Sequence, residues 1–199
     1  MKMLHRPDLF GWSEFNEEKN IDFNGTLWVR PGGNVIIDPM PLSEHDQAHL
    51  QSLGGARWII MTNSDHTRWA KEVAKQTGAQ LAAPRREKES WPHACDAWLS
   101  EGGALVGGLR ILEMQGSKTP GELALIINGH TLITGDLIRA HRGGSLMILP
   151  DPKLADKAAA VTSVQRLADI DGIEAVLVGD GWHVFRDGHA RLRELADTL

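Results

Sequence analysis

The chain has 199 residues, 42% of them hydrophobic and 24% charged, with a formal net charge of -5 when histidines are neutral. This length and composition predict one compact domain over residues 1–199 with a sizeable core, and they exclude a disordered chain. No apolar run is long enough to span a bilayer, the acidic balance gives no global basic footprint for nucleic acid, and the single cysteine, Cys95, excludes an intrachain disulfide and a cysteine-built zinc finger. The opening Met1-Lys2-Met3-Leu4-His5-Arg6-Pro7 lacks the apolar stretch of a secretory signal, so a reducing, cytoplasmic setting is expected.

Apolar runs bounded by glycine, proline or asparagine read as short strands. Thr26 to Arg30 and Asn34 to Asp38 flank Pro31-Gly32-Gly33, which predicts a hairpin. Ser43 suits the capped start of a helix with Leu50 and Leu53 on its apolar face. Trp58-Ile59-Ile60-Met61 predicts a buried strand. A helix from His66 to Gln76 should follow it, carrying Trp69, Ala70, Val73 and Ala74 and ending before Gly78. Gln80 to Ala83 is a further strand. In the second half, Leu109 to Met114, Leu123 to Ile127 and Thr131 to Thr134 are strands, the last two joined by Asn128-Gly129-His130. Ala175 to Val178 completes the set, and helices are expected over Asp156 to Ala168 and Gly188 to Leu199. Two facing sheets with helices outside would bury strands this uniformly apolar.

Four short segments stand at the ends of these strands: Met61-Thr62-Asn63-Ser64-Asp65-His66, Gly116-Ser117-Lys118-Thr119-Pro120-Gly121-Glu122, Thr134-Gly135-Asp136 and Gly179-Asp180-Gly181. Ligand sites in layered folds gather where such loops converge. Together with Ile36-Ile37-Asp38-Pro39, their order resembles the metallo-β-lactamase-fold hydrolase superfamily, from roughly Gly25 to His183. The resemblance implies a four-layer αββα sandwich, an α/β fold with a metal site at one sheet edge.

The family's His-x-His-x-Asp-His motif falls here on Met61, Asn63, Asp65 and His66, so its first two histidines are missing. Lys118 stands where a third histidine precedes the Thr-Pro-Gly turn. Asp136 matches the bridging aspartate, and Asp180 takes the place of the last histidine. The resemblance thus implies one lost half-site and one retained, with Asp65, His66, Asp136 and Asp180 as candidate metal ligands. Placed together, Asp65, Asp136 and Asp180 bring three negative charges and Lys118 one positive, leaving two uncompensated. One divalent cation would neutralise them. Oxygen-rich ligands of this kind suit zinc, manganese or iron.

Two readings follow. In the first, a small-molecule hydrolase holds one metal and cleaves an ester, thioester, lactone or phosphoester, with Asp65 and Lys118 as catalytic residues, Lys118 stabilising an oxyanion. In the second, the chain has no metal, Lys118 forms a salt bridge with the aspartates, and the fold serves binding or structure. Arg139, His141 and Arg142, beyond Asp136, are candidates for holding an anionic group of a small-molecule ligand. Read without the resemblance, Leu137 to Gly144 is a solvated loop and Trp182-His183-Val184-Phe185 is packed chain. Arg85-Arg86-Glu87-Lys88 reads as a solvated helix start rather than a nucleic-acid surface.

Overall fold

The computed structural model describes all 199 residues. The first half builds a seven-stranded sheet in chain order from β1 (Lys2–Met3), β2 (Leu9–Asn16), β3 (Ile21–Trp28), β4 (Val35–Ile37), β5 (Trp58–Ile60), β6 (Gln80–Pro84) and β7 (Ala97–Leu99). Helices α1 (Glu44–Ser52) and α2 (Ala70–Thr77) connect its parallel part. The second half builds a four-stranded sheet from β8 (Leu109–Glu113), β9 (Leu123–Ile127), β10 (Thr131–Thr134) and β13 (Ala175–Val178), with β13 parallel to β10 at the edge. A separate hairpin, β11 (Ile138–Arg142) and β12 (Ser145–Ile148), precedes α3 (Lys157–Ala168), and α4 (Gly188–Ala196) ends the chain.

Side-chain alternation explains the layering. Val35, Ile37 and Ile60 face one way and pack with Leu123, Leu125, Ile127, Ile133 and Leu177 in the core between the sheets. Their neighbours Ile36 and Ile59 face the other way, with Leu50 of α1 and Val73 of α2. In the second sheet Ala124, Ile126, Leu132 and Val176 turn outward to Val164, Leu167, Leu192 and Leu195 of α3 and α4. Each sheet is therefore apolar on both faces, which is why the strands read as continuous hydrophobic runs. The result is the expected αββα sandwich.

Local signals hold at the helix ends: Ser43 Oγ accepts from the Asp46 amide at 3.1 Å, and Gly78 ends α2 in the left-handed region. Strands β1, β2 and β7 and two further segments depart from the sequence expectations. Strand β2, unmarked by any apolar run, forms because it pairs with β3 along eight residues, from Leu9↔Trp28 to Asn16↔Ile21. The predicted helix at His66 begins only at Ala70, because Ser64–His66 forms a 3-10 turn and Arg68 then adopts φ 35°. The segment read as a solvated loop is the β11–β12 hairpin. Its charged residues hide an alternation in which Ile138 and Ala140 are buried while His141 and Arg142 are exposed. No helix is long and apolar enough to cross a membrane.

Candidate functional site

The strand ends of both sheets meet around His66. Asp38, just past β4, has φ 48°, a conformation tolerated by Asp and Asn better than by most residues. Its carboxylate accepts from the Thr62 amide at 2.8 Å, from Thr62 Oγ1 at 2.6 Å and from His66 Nδ1 at 2.8 Å. These bonds fix the imidazole so that Nε2 points into the space between the sheets' ends. The turn carrying His66 is itself tied down: Asn63 Oδ1 caps the His66 amide at 3.0 Å, and the buried Glu87 accepts from the Ser64 amide at 3.1 Å. Glu87 is thus a buried acceptor inside the run Arg85 to Lys88 rather than part of a solvated helix start.

Asp136 follows β10 and Asp180 follows β13, so the parallel pairing of these strands sets the two carboxylates side by side. His66, Asp136 and Asp180 are all buried, and their ligand atoms lie within 4.8 Å of one another, a group that could hold a metal ion. Glycines flanking the aspartates permit this closeness. A Cβ on Gly179 would sit 2.5 Å from His66 Cε1, and one on Gly181, at φ 99°, would collide with the Ala140 backbone.

Two guanidinium groups enter the same space. Arg68 Nη2 donates to Asp180 Oδ1 at 2.7 Å and lies 3.0 Å from His66 Nε2, while its Nη1 donates to the Asn24 carbonyl at 3.0 Å. Arg139 Nη2 pairs with Asp180 Oδ2 and reaches Asp136 Oδ1 at 3.5 Å. Asn63 Nδ2 donates to Asp136 Oδ2 at 3.2 Å. Each carboxylate oxygen of Asp136 and Asp180 thus already faces a protein donor, and the Arg68 guanidinium lies against His66 Nε2. A zinc ion needs these atoms at about 2.0–2.2 Å with lone pairs free. Arg139 Nε is buried without a partner, but it is a donor and offers nothing to a cation. The residues present do not fit an ion in this arrangement.

The electrostatics agree with that packing. Burial and Arg68 both oppose a charged His66, but Asp38 and Asp136 outweigh them and lift its pKa to about 10. Burial alone would raise Asp136; the hydrogen bond and charge of His66, with Lys118 and Arg139, hold it well below the usual carboxylate range. Asp38, Asp136 and Asp180 then face His66, Arg68 and Arg139, three anions against three cations. Glu122 lies behind them, accepting from Ser117 Oγ and from the Leu137 amide at 2.9 Å. Burial and the Asp136 charge push its pKa up to about 8, so it is largely neutral at pH 7.

The other residues singled out in the sequence fall at the rim or beyond. Asp65 points away from the trio and pairs with Lys118 at the surface, both side chains about two-fifths exposed. The Lys118 amine stays protonated, because its bond to Asp65 and the charge of Asp136 outweigh partial burial. Such exposed pairs contribute little, so Lys118→Met should change stability by less than about 1 kcal/mol, read from urea unfolding midpoints. Arg139 stands inside the cluster, while His141 and Arg142 lie on the exposed end of β11. His183 does not reach the cluster; its Nδ1 accepts from the Val178 amide at 3.2 Å. Sequence reasoning did not single out Arg68 and Asp38 as site residues. The two negative charges left after counting Lys118 were the available hint of further cations, and Arg68 and Arg139 supply them.

The geometry of His183 gives a pH prediction. Burial, with a smaller effect of His5, lowers its pKa from 6.5 to about 4. The unfolded chain binds this proton below pH 6.5 and the folded chain only near 4. The stability His183 contributes is complete above pH 6.5 and is lost as pH falls towards 4. His183→Gln should flatten that acid limb by on the order of 2 kcal/mol, measured as urea midpoints between these pH values.

A model of the metallo-β-lactamase superfamily matches residues 1–199, and the chain belongs to that superfamily. Among solved structures it is similar to the DIM-1 metallo-β-lactamase, with 18% identity, a TM-score of 0.76, and coverage of 99% of this chain and 96% of that one. It is also similar to TTHA1623 in a di-iron-bound form, with 20% identity, a TM-score of 0.72, and coverage of 94% and 100%. The FIM-1 enzyme from Pseudomonas aeruginosa in its mono-zinc form gives 15% identity, a TM-score of 0.71, and coverage of 96% and 90%. At these identities the likeness establishes the fold alone. A search of curated proteins found no match.

Proposed function

We propose that this chain is a metal-independent member of the superfamily that binds a small molecule on the scaffold's usual side, in a reducing, cytoplasmic setting. The observation that carries this reading is the engagement of all four oxygens of Asp136 and Asp180 by Arg68, Arg139 and Asn63, with the Arg68 guanidinium lying against His66 Nε2. With the buried charges already balanced, a dication would add two positive charges without partners in a poorly hydrated space, an arrangement that is strongly unfavourable. The metal motif is in this sense degenerate, and no metal-bound hydroxide forms. For the ligand, the reading points to a cleft of about 310 Å³ that has Arg68 in its wall together with Phe15, Phe23, Met40 and Trp69.

The three ligand-type side chains of the trio favour a second reading, a mononuclear hydrolase using zinc, manganese or iron with Asp65 and Lys118 assisting. Metal analysis separates the two. Protein purified without chelator should contain far less than one transition metal per chain, and added zinc, manganese or iron should leave its Tm unchanged. Stoichiometric metal with a raised Tm would favour the hydrolase.

A further inference from the structure

We propose that Arg68 and Arg139 are built-in cations that occupy, and thereby close, a single-ion site formed by His66, Asp136 and Asp180. The inference rests on the metal-independent reading and goes beyond it by assigning an intact ion site beneath the two arginines, one that opens when they are removed.

The two arginines arrive from different parts of the chain. Arg68 sits at the turn before α2, in a left-handed backbone conformation that sends its side chain back across His66. Its guanidinium stacks over Phe23 with 4.9 Å to the ring centroid and is held by the carbonyls of Asn24 and Gly179 as well as by Asp180. Arg139 comes from β11, whose Ala140 amide donates to the Asp180 carbonyl at 3.2 Å, so the strand that carries the arginine is fastened to its acceptor. Asp180 thus takes one guanidinium on each oxygen. Neither arginine needs to move for the cluster to be neutral.

Taking both guanidiniums away leaves two uncompensated carboxylates beside an imidazole. Once the ring gives up its proton to bind, the charges of Asp136 and Asp180 match one dication, and imidazole nitrogen and carboxylate oxygen are both donors that zinc accepts. The ring is already oriented for it. Asp38 holds Nδ1 at 2.8 Å, leaving Nε2 to face the carboxylates, as the outer partner of a metal-bound histidine does. Asn63 Nδ2 stays on one Asp136 oxygen but carries no charge, so the obstacle to an ion is the positive charge of the two arginines and not a lack of ligands.

The test is zinc binding by the wild type, by Arg68→Met/Arg139→Met, and by that pair combined with Asp136→Asn. Methionine keeps much of the apolar stem while removing the charge. Zinc chloride is the probe, with metal content after gel filtration and thermal unfolding as readouts. The wild type should retain no zinc. The double variant should retain about one zinc per chain and gain at least about 5 °C in Tm with excess zinc, and the added Asp136→Asn should abolish both effects. A double variant that is unfolded alone but folds when zinc is supplied supports the proposal equally. A double variant that folds without binding zinc, or stays unfolded in zinc, overturns the proposal and leaves the metal-independent reading standing. Zinc bound stoichiometrically by the wild type, and lost in its Asp136→Asn variant, overturns both.

Discussion

Asp180→Ala should destabilise the fold by about 3–5 kcal/mol, the largest effect expected of any single side chain at the site. The substitution removes the acceptor shared by Arg68 and Arg139, and both guanidiniums remain buried. Arg68 retains carbonyl partners, but Arg139 keeps only the longer contact to Asp136. Leaving charged donors without their anion is costlier than losing the pair altogether. Urea unfolding of Asp180→Ala, with Asp65→Ala for comparison, measures this directly. The Asp65 variant should lose less than about 1 kcal/mol, because its carboxylate and that of its partner Lys118 stand partly in water. Equal losses in the two variants would mean that the centre does not hold the sheet ends together.

Asp38→Asn should cost about 3 kcal/mol and change how the protein responds to alkali. Asparagine tolerates the backbone angle at this position, so the substitution isolates the loss of charge. In the wild type the folded pKa of His66 lies at about 10, above its ordinary 6.5. The stability it contributes is complete below pH 6.5 and is lost as pH rises through 10. With the carboxylate gone, only Asp136 opposes burial and Arg68, and the pKa of the ring should fall from about 10 towards its ordinary value. An NMR titration of the His66 ring gives the pKa, and urea midpoints between pH 7 and 10 should decline in the wild type more steeply than in the variant.

The layered architecture was legible because each strand of the two-sheet core is apolar on both faces. Ile36-Ile37, Ile59-Ile60 and Leu123 to Ile127 carry that signal without help from the rest of the chain. Strand β2 was not legible, since its outer residues gain their conformation from pairing with β3 rather than from their own hydrophobicity. The β11–β12 hairpin was masked in a different way: its arginines and histidine resemble a solvated loop unless it is known that Arg139 points inward. At the site, His66, Asp136 and Asp180 could be placed from strand-end motifs. The partners of Asp180 could not be. Arg68 reaches it from 112 positions away through a turn that no periodicity announces. Asp65, adjacent to His66 in sequence, faces outward because a 3-10 turn directs consecutive side chains to different sides.

The arginine clamp on Asp180 has a consequence for the life of the protein in a cell. Where an ion is an essential part of a fold, maturation waits on the supply of that ion, and a chelator can undo it. Here the positive charges are encoded in the same gene as the negative ones. On the metal-independent reading proposed above, newly made chains reach their final form at a rate set by synthesis and folding alone, indifferent to whether trace elements are scarce or abundant.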